Sequence, residues 1–256
     1  MDYITIVTST SNKFAKHTGV MLHSLFQNSA NNSLKIFILY RQLSSRNKMN
    51  LSNIPSKSSR ASIDFVKVDT SKYTECRKGN RLKEEVYFRV SIPDLLDGKF
   101  KKAIYLDSDL IILEDIATLW DIDLSDHLVA AVEDPGAEKY GRFKALCIPK
   151  KYGYFNSGVM LLAVNKWRDL DISKKVLEYV QKHPEKCRLL DQDGLNAVLY
   201  ADRKNLNLKW NYQTVHIGHY PVKPAIIHYT TKKKPWNSDH PLADYYHYYE
   251  KQIIWE

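Results

Sequence analysis

Apolar runs of strand length alternate with stretches of helical spacing along the first part of the chain. Tyr3 to Val7 is an apolar, β-branched run, and Phe14 to Phe26 then carries Val20, Met21, Leu25 and Phe26 at helical intervals. Leu34 to Tyr40, LKIFILY, predicts a second and buried strand, Ser44 to Leu51 a short polar helix, and Ile63 to Val68 a third strand. Strands that alternate with helices point to a parallel sheet. Helix-forming residues run from Arg81 to Ile92, where Pro93 is expected to stop them. Val129 to Val132 and Val159 to Val164 read as strands, Ser173 to Lys182 and Gly194 to Tyr200 as helices, and Ala225 to His228 as a late short strand. From Pro241 onward, Leu242, Tyr245, Tyr249 and Ile253 fall near one helical face, so the tyrosine-rich tail is expected to pack on the body. With no repeat, long linker or low-complexity block, one continuous domain is the economical reading.

A length of 256 residues fits one large α/β domain, alone or with a short appendage. No uncharged apolar run approaches the roughly 20 residues needed to cross a bilayer, and the opening MDYITIVTST is too polar-flanked for a signal peptide. Cys76, Cys147 and Cys187 are odd in number and far apart, which argues against a disulfide framework or zinc knuckle and fits a reducing cytoplasm. The formal net charge of +9 suits an anionic partner: a nucleotide, nucleic acid, phosphorylated glycan or anionic membrane. Because the lysines are mostly dispersed, a merely basic solvated surface fits the same number.

The segment Lys101 to Glu114, KKAIYLDSDLIILE, changes the picture. Two apolar runs, Ala103 to Leu106 and Leu110 to Leu113, flank Asp107, Ser108 and Asp109. In an open α/β sheet ligands collect at the carboxyl ends of strands, where this interruption falls. Carboxylates at i and i+2 on an extended backbone project to one side and can share a hard divalent ion such as Mg²⁺ or Mn²⁺. A simple turn is the alternative, since Asp and Ser favour turns. The chain has no G-x-x-x-x-G-K-S/T loop, no G-x-G-x-x-G after its first strand and no G-x-S-x-G elbow, so metal and basic side chains would have to neutralise a phosphate. Asn156 lies in Tyr154 to Gly158 at the mouth of an apolar strand, and Asp191-Gln192-Asp193 stands before a helix, where either aspartate could be only an N-cap. His228-Tyr229 follows a short strand and leads into Lys232 to Trp236.

As an ordered set these segments resemble glycosyltransferase family 8, the retaining GT-A-fold enzymes that include lipopolysaccharide galactosyltransferases, glycogenin and stress-protein-A-like enzymes. The resemblance is carried by HTGVMLHSL (His17 to Leu25), YFRV (Tyr87 to Val90), YLDSDLIIL (Tyr105 to Leu113), LWDIDL (Leu119 to Leu124), YFNSGVMLL (Tyr154 to Leu162), LLDQDGLN (Leu189 to Asn196) and HYTTKKKPW (His228 to Trp236). It implies a GT-A domain over residues 1–240, a mixed and mostly parallel sheet flanked by helices, with a helical tail over residues 241–256. It further implies that Asp107, Asp109 and His228 are metal ligands, with Mn²⁺ the usual ion and Mg²⁺ the alternative. Lys234 then matches the lysine at the diphosphate and Arg89 the basic residue at the donor sugar, while Asn156, Asp191 and Gln192 line the transferred sugar.

The implied reaction is transfer of galactose or glucose from UDP-galactose or UDP-glucose to a glycan, lipid-linked glycan or glycoprotein. Thr8, Ser11 and Asn12 stand where the family grips the nucleotide, Ser108 lies between the two aspartates, and Thr231 lies beside the diphosphate. The stretch Thr8 to Lys13 lacks the family's acidic pair, and Thr231 replaces a frequent glycine. A nucleotidyltransferase, and a degenerate transferase that only binds nucleotide sugar or polyanion, are the competing classes; the resemblance implies no nucleic-acid partner. The basic, aromatic C-terminus also suits peripheral contact with the inner face of a membrane.

Overall fold

The first three strands are joined by helices, as the alternation of apolar patterns requires: β1 (Ile4–Thr10), α1 (Ala15–Asn28), β2 (Leu34–Tyr40), α2 (Ser45–Ser52) and β3 (Ala61–Lys67). The computed structural model describes residues 3–54, 60–76, 84–96, 98 and 100–256. The hydroxyl of Ser44 accepts the Asn47 N–H at 3.2 Å and so caps the start of α2.

The helix expected from Arg81 to Ile92 takes a different form. Residues 81–83 lie outside the described residues, Glu84–Ser91 is 3₁₀-helical, and α3 (Ile92–Leu95) follows. Pro93 does not stop a helix; it sits in the first turn of α3, where a missing N–H costs nothing because no intrahelical acceptor faces that position.

Beyond α3 run β4 (Ala103–Leu106), β5 (Leu110–Ile112), α4 (Ala117–Trp120), β6 (Val129–Glu133), α5 (Gly136–Lys139), α6 (Arg142–Leu146) and β7 (Phe155–Leu162). The chain ends with α7 (Val164–Asp169), α8 (Ile172–Lys182), α9 (Asp191–Leu199), β8 (Arg203–Asn205), β9 (Tyr212–Gln213), β10 (Ile226–His228) and α10 (Ala243–Glu250).

Seven strands form one sheet in the order β3-β2-β1-β4-β7-β6-β8. All neighbours are parallel except β7, which runs antiparallel to both β4 and β6. The reversal of β7 brings its first residues, Phe155 to Gly158, to the edge where β1, β4 and β6 end. A second, three-stranded sheet of order β5-β10-β9 begins at that edge, where residues 107–109 lead from β4 into β5.

Both faces of the main sheet are covered, which explains the unbroken apolar run of β2. Phe37 and Leu39 face a core shared with Trp167, Val176, Val180 and Leu195, whereas Leu34, Ile36 and Ile38 face one shared with Met21, Leu22 and Leu25 of α1. Helices α8 and α9 approach closely at Gly194, where a Cβ would lie 2.5 Å from Val180 Cγ2.

The C-terminal segment packs against α1, β5 and β10. Tyr246 and Tyr249 are buried in a cluster with Val20, Ile111, Ile227 and Tyr229, and Leu242 and Ile253 lean on it. Tyr245, expected on the packed face, is instead 43% exposed, because the i, i+3 pair that faces inward is Tyr246 and Tyr249. Trp255 lies against Gly19, leaving no space for a side chain there: a Cβ would be 2.6 Å from the indole. No helix among the described residues is long and apolar enough to cross a membrane.

Candidate active site

The Asp107-Ser108-Asp109 segment is a bend between β4 of the main sheet and β5 of the small one, rather than the extended backbone that alternation suggested. The Ser108 hydroxyl donates to the Ser9 carbonyl at 2.7 Å and accepts from Thr18 at 2.9 Å. The bend is thus tied to β1 and α1. On the other side, the Asp107 N–H donates to the Gly158 carbonyl at 2.8 Å and Tyr105 Oη donates to Asp107 Oδ1 at 2.9 Å.

Pairing of β10 with β5 sets His228 opposite Leu110, and the Tyr229 N–H bonds to the Asp109 carbonyl at 3.1 Å. That register carries the imidazole to the aspartates, with Nε2 3.3 Å from Asp109 Oδ1 and 3.7 Å from Asp107 Oδ2. One ligand atom from each of Asp107, Asp109 and His228 lies within 4.8 Å of the others. Metal–ligand bonds of about 2.0–2.2 Å place neighbouring ligand atoms about 3 Å apart or somewhat more, so the trio fits a small divalent cation. Gly158 makes the room: a Cβ there would lie 2.2 Å from His228 Cε1 and 2.8 Å from Asp107 Oδ2.

Two cations flank the trio. Lys234 Nζ lies 2.5 Å from Asp109 Oδ2 and also donates to the Tyr229 carbonyl. Burial works against ionisation of Asp109, but Lys234 and His228 outweigh it and hold the carboxyl well below the ordinary carboxylate range. Arg89, which is buried, reaches Asp107 Oδ1 at 2.9 Å and the Ser157 carbonyl at 2.8 Å. Its Nε also sits 2.9 Å from Asp191 Oδ2, although that N–H is turned to the Val86 carbonyl, so the contact is an ion pair without hydrogen-bond alignment. Burial raises the Asp191 carboxyl to about 6, helped by the Asp107 charge and opposed by Arg89.

Neither Asp191 nor Asp193 is an N-cap: α9 begins at Asp191, and the preceding residue, Leu190, adopts a positive φ of 54°. Such backbone costs on the order of 1–3 kcal/mol and persists only where surroundings enforce it. Here Asp193 enforces it, buried in an ion pair with Arg142 at 2.8 Å while accepting from Tyr154 Oη and the Leu189 N–H. Gln192 is thereby aimed at the start of β7, where its Oε1 accepts the Ser157 N–H at 3.1 Å and its Nε2 donates to Asp134 Oδ2 at 3.1 Å.

Arg89, Asp107, Asp109, Asn156, Asp191, Gln192, His228 and Lys234 therefore form one contiguous network. Other expected residues lie differently. Asn12 is spent on the fold, its Oδ1 accepting from the Ser44 N–H at 2.8 Å and from Asn47 at 3.0 Å. Ser11 is half-buried just past β1, and its carbonyl accepts the Phe14 N–H. Thr8 is fully buried with no hydrogen-bond partner for its hydroxyl among the described residues, and the Thr231 hydroxyl donates to the Lys233 carbonyl.

Sequence reading missed Asp134 and Asn211. Asp134 follows the carboxyl end of β6, the position rule that singled out Asp107, so it was within reach of that rule. Asn211 carries no sequence signal at all; it ends a 3₁₀ turn, and only the fold sets it against His228 and Asn156.

The sequence model described as "Glycosyl transferase family 8" matches residues 5–240. The chain belongs to this family. Among its relatives, "General stress protein A" of Bacillus subtilis (strain 168) is 34% identical over 271 residues, spanning 98% of this chain and 94% of the relative. "Lipopolysaccharide 1,3-galactosyltransferase" of Salmonella typhimurium is 32% identical over 176 residues, covering 62% of this chain and 52% of that protein. In structure, the galactosyltransferase LgtC, solved with donor and acceptor sugar analogs, superimposes with a TM-score of 0.89 over 98% of this chain and 96% of that one, at 22% identity. The GT-A architecture and the family 8 resemblance read from the sequence are both borne out. As a family 8 member the chain is a glycosyltransferase.

Proposed function

We propose that this family 8 enzyme transfers a hexose, galactose or glucose, from a UDP-sugar to a glycan, lipid-linked glycan or glycoprotein, with retention of anomeric configuration. The observation that carries the reading is the approach of Asp107, Asp109 and the His228 Nε2 at the edge of the sheet, in a space kept open by Gly158. Asp107, Asp109 and His228 would hold the divalent ion, Mn²⁺ or Mg²⁺, which when bound neutralises the diphosphate of the donor and favours its departure. The relatives named for galactosyl transfer support the hexose, and three cysteines, odd in number and far apart in the sequence, fit a cytoplasmic setting.

The residues divide the remaining work by charge. Glycosyl transfer develops positive charge on the sugar ring and negative charge on the leaving phosphate. The ammonium of Lys234, poised beside Asp109, stabilises the departing nucleotide. On the opposite side, Asp191 and Gln192 face the sugar. Gln192 is held at both ends of its amide, so it positions rather than attacks, and the leaving phosphate takes the acceptor proton on the same face. Arg89 stands between Asp107 and Asp191, a cation bridging two carboxylates that would otherwise repel each other.

A panel of nucleotide sugars with Mn²⁺, followed by nucleotide release with and without acceptor glycans, tests the reading. UDP-galactose or UDP-glucose is expected to turn over, and Asp109→Asn to abolish it. Turnover that Asp109→Asn leaves unchanged removes the metal assignment, and a glycosyl adduct trapped on Gln192 or Asp191 removes the same-face route.

A further inference from the structure

The side chain of His228 is oriented by a chain of hydrogen bonds whose donors and acceptors can be assigned from its far end. Asn156 lies between a backbone N–H and a carboxylate: its Oδ1 is 3.0 Å from the Gly158 N–H and its Nδ2 is 3.4 Å from Asp134 Oδ2. A backbone N–H only donates and an ionised carboxylate only accepts, so the Asn156 amide has one permitted orientation. The same Oδ1 is 3.0 Å from Asn211, which must present its Nδ2 there. Asn211 is fully buried and its other end, Oδ1, lies 2.9 Å from His228 Nδ1. An amide oxygen can only accept, so Nδ1 carries a proton. Nε2 faces Asp107 and Asp109 and is the ring nitrogen left to meet a cation.

We propose that Asn211 is a positioning residue for the metal centre, holding His228 in the Nδ1–H tautomer with Nε2 presented to the cation, and that Asn156 sets the direction of the chain. The inference rests on the metal-site reading above. The three elements have separate origins: β9 pairs in parallel with β10, setting Gln213 beside His228 and so bringing Asn211 to the imidazole, while Asn156 comes from β7. Tertiary structure thus assembles around one ring what outer-shell partners do for a ligating histidine, fixing its tautomer and orientation.

Two measurements test this. In metal-free protein labelled with ¹⁵N-histidine, two-bond ¹H–¹⁵N spectra at pH 8.5, with the His228 signal assigned from a His228→Gln sample, are expected to show a proton on Nδ1, whether or not Nε2 carries one as well. A ring protonated on Nε2 alone, with Nδ1 bare, overturns the proposal without reference to any variant. Mn²⁺ affinity is then measured by water-proton relaxation in the presence of UDP. Asn211→Leu, which cannot accept, is expected to weaken it about 10- to 100-fold. Asn211→Asp keeps the acceptor for Nδ1–H but loses the donor to Asn156 Oδ1, and is expected to bind Mn²⁺ more tightly than Asn211→Leu does, an order that a role in packing alone does not predict. Equal affinities for wild type and Asn211→Leu overturn the proposal while Asp109→Asn still abolishes binding. If Asp109→Asn binds Mn²⁺ as wild type does, the metal-site reading itself fails.

Discussion

A Cβ placed on Gly158 would lie 2.2 Å from Cε1 of His228, nearer than any two such atoms can stand. Gly158→Ala is therefore expected to push the imidazole away from Asp107 and Asp109. Displacement of a site group by about 1 Å can cost about 100-fold in rate. The check is nucleotide release with Mn²⁺ and UDP-sugar, beside the rise in Tm that Mn²⁺ with UDP gives the wild type. An alanine variant that keeps both would show that the glycine is not there for His228.

Lys234 contacts Asp109 Oδ2 at 2.5 Å while also donating to the Tyr229 carbonyl. Lys234→Ala removes a cation needed when charge develops on the leaving phosphate, so the loss is expected mainly in kcat, by about 100- to 1,000-fold. Steady-state kinetics across donor concentration separates this from a KM effect. A change in KM alone would make Lys234 a ground-state contact.

Arg142 and Asp193 are 2% and 0% exposed and meet at 2.8 Å. Removing one member of a buried pair leaves an uncompensated charge and costs about 3–5 kcal/mol. Arg142→Leu is expected to show that loss in urea unfolding. Gln192, next to Asp193 and within 3.3 Å of Tyr154 Oη, is expected to lose its aim as well. A variant as stable as wild type would mean that the ion pair serves geometry alone.

The His17 imidazole stacks on Trp236 with centroids 3.7 Å apart and its Nδ1 lies 2.7 Å from Tyr246 Oη. Burial lowers it to about 4 from an ordinary value of 6.5, with Lys16 and Lys234 adding and Glu250 and Asp109 opposing. Between these values the unfolded chain binds a proton that the folded chain refuses, so stability is full above about 6.5 and falls as pH drops toward 4. Partial solvent access limits the size of the effect. Urea midpoints measured from pH 7 to 4.5 are expected to fall more steeply for wild type than for His17→Phe, and equal slopes would acquit His17.

How much of this was legible beforehand follows from the range of the forces concerned. Strands β1, β2 and β4 and helices α1 and α8 announce themselves because burial of both sheet faces demands unbroken apolar runs, and burial of one helix face demands a spacing near 3.6. The order of motifs from Tyr105 to Trp236 likewise marks the glycosyltransferase family, and an aspartate pair after a buried strand marks the site. Pro93 was misjudged since its effect depends on which side of it the helix lies. Tyr245 was placed on the wrong face because periodicity over two turns cannot separate neighbours a third of a turn apart.

What the sequence by itself determined is most strands of the main sheet, the longer helices, the family and the identity of the charged groups. The rest waited for the tertiary structure. The reversal of β7, the pairing of β10 with β5, and the bend at Ser108 decide that His228 meets Asp107 and Asp109. Those contacts join residues remote along the chain through hydrogen bonds whose partners no local pattern names. Asn211 shows the limit most clearly: an asparagine is ordinary until β9 sets it between an imidazole and another amide, where the direction of each bond is fixed by the next.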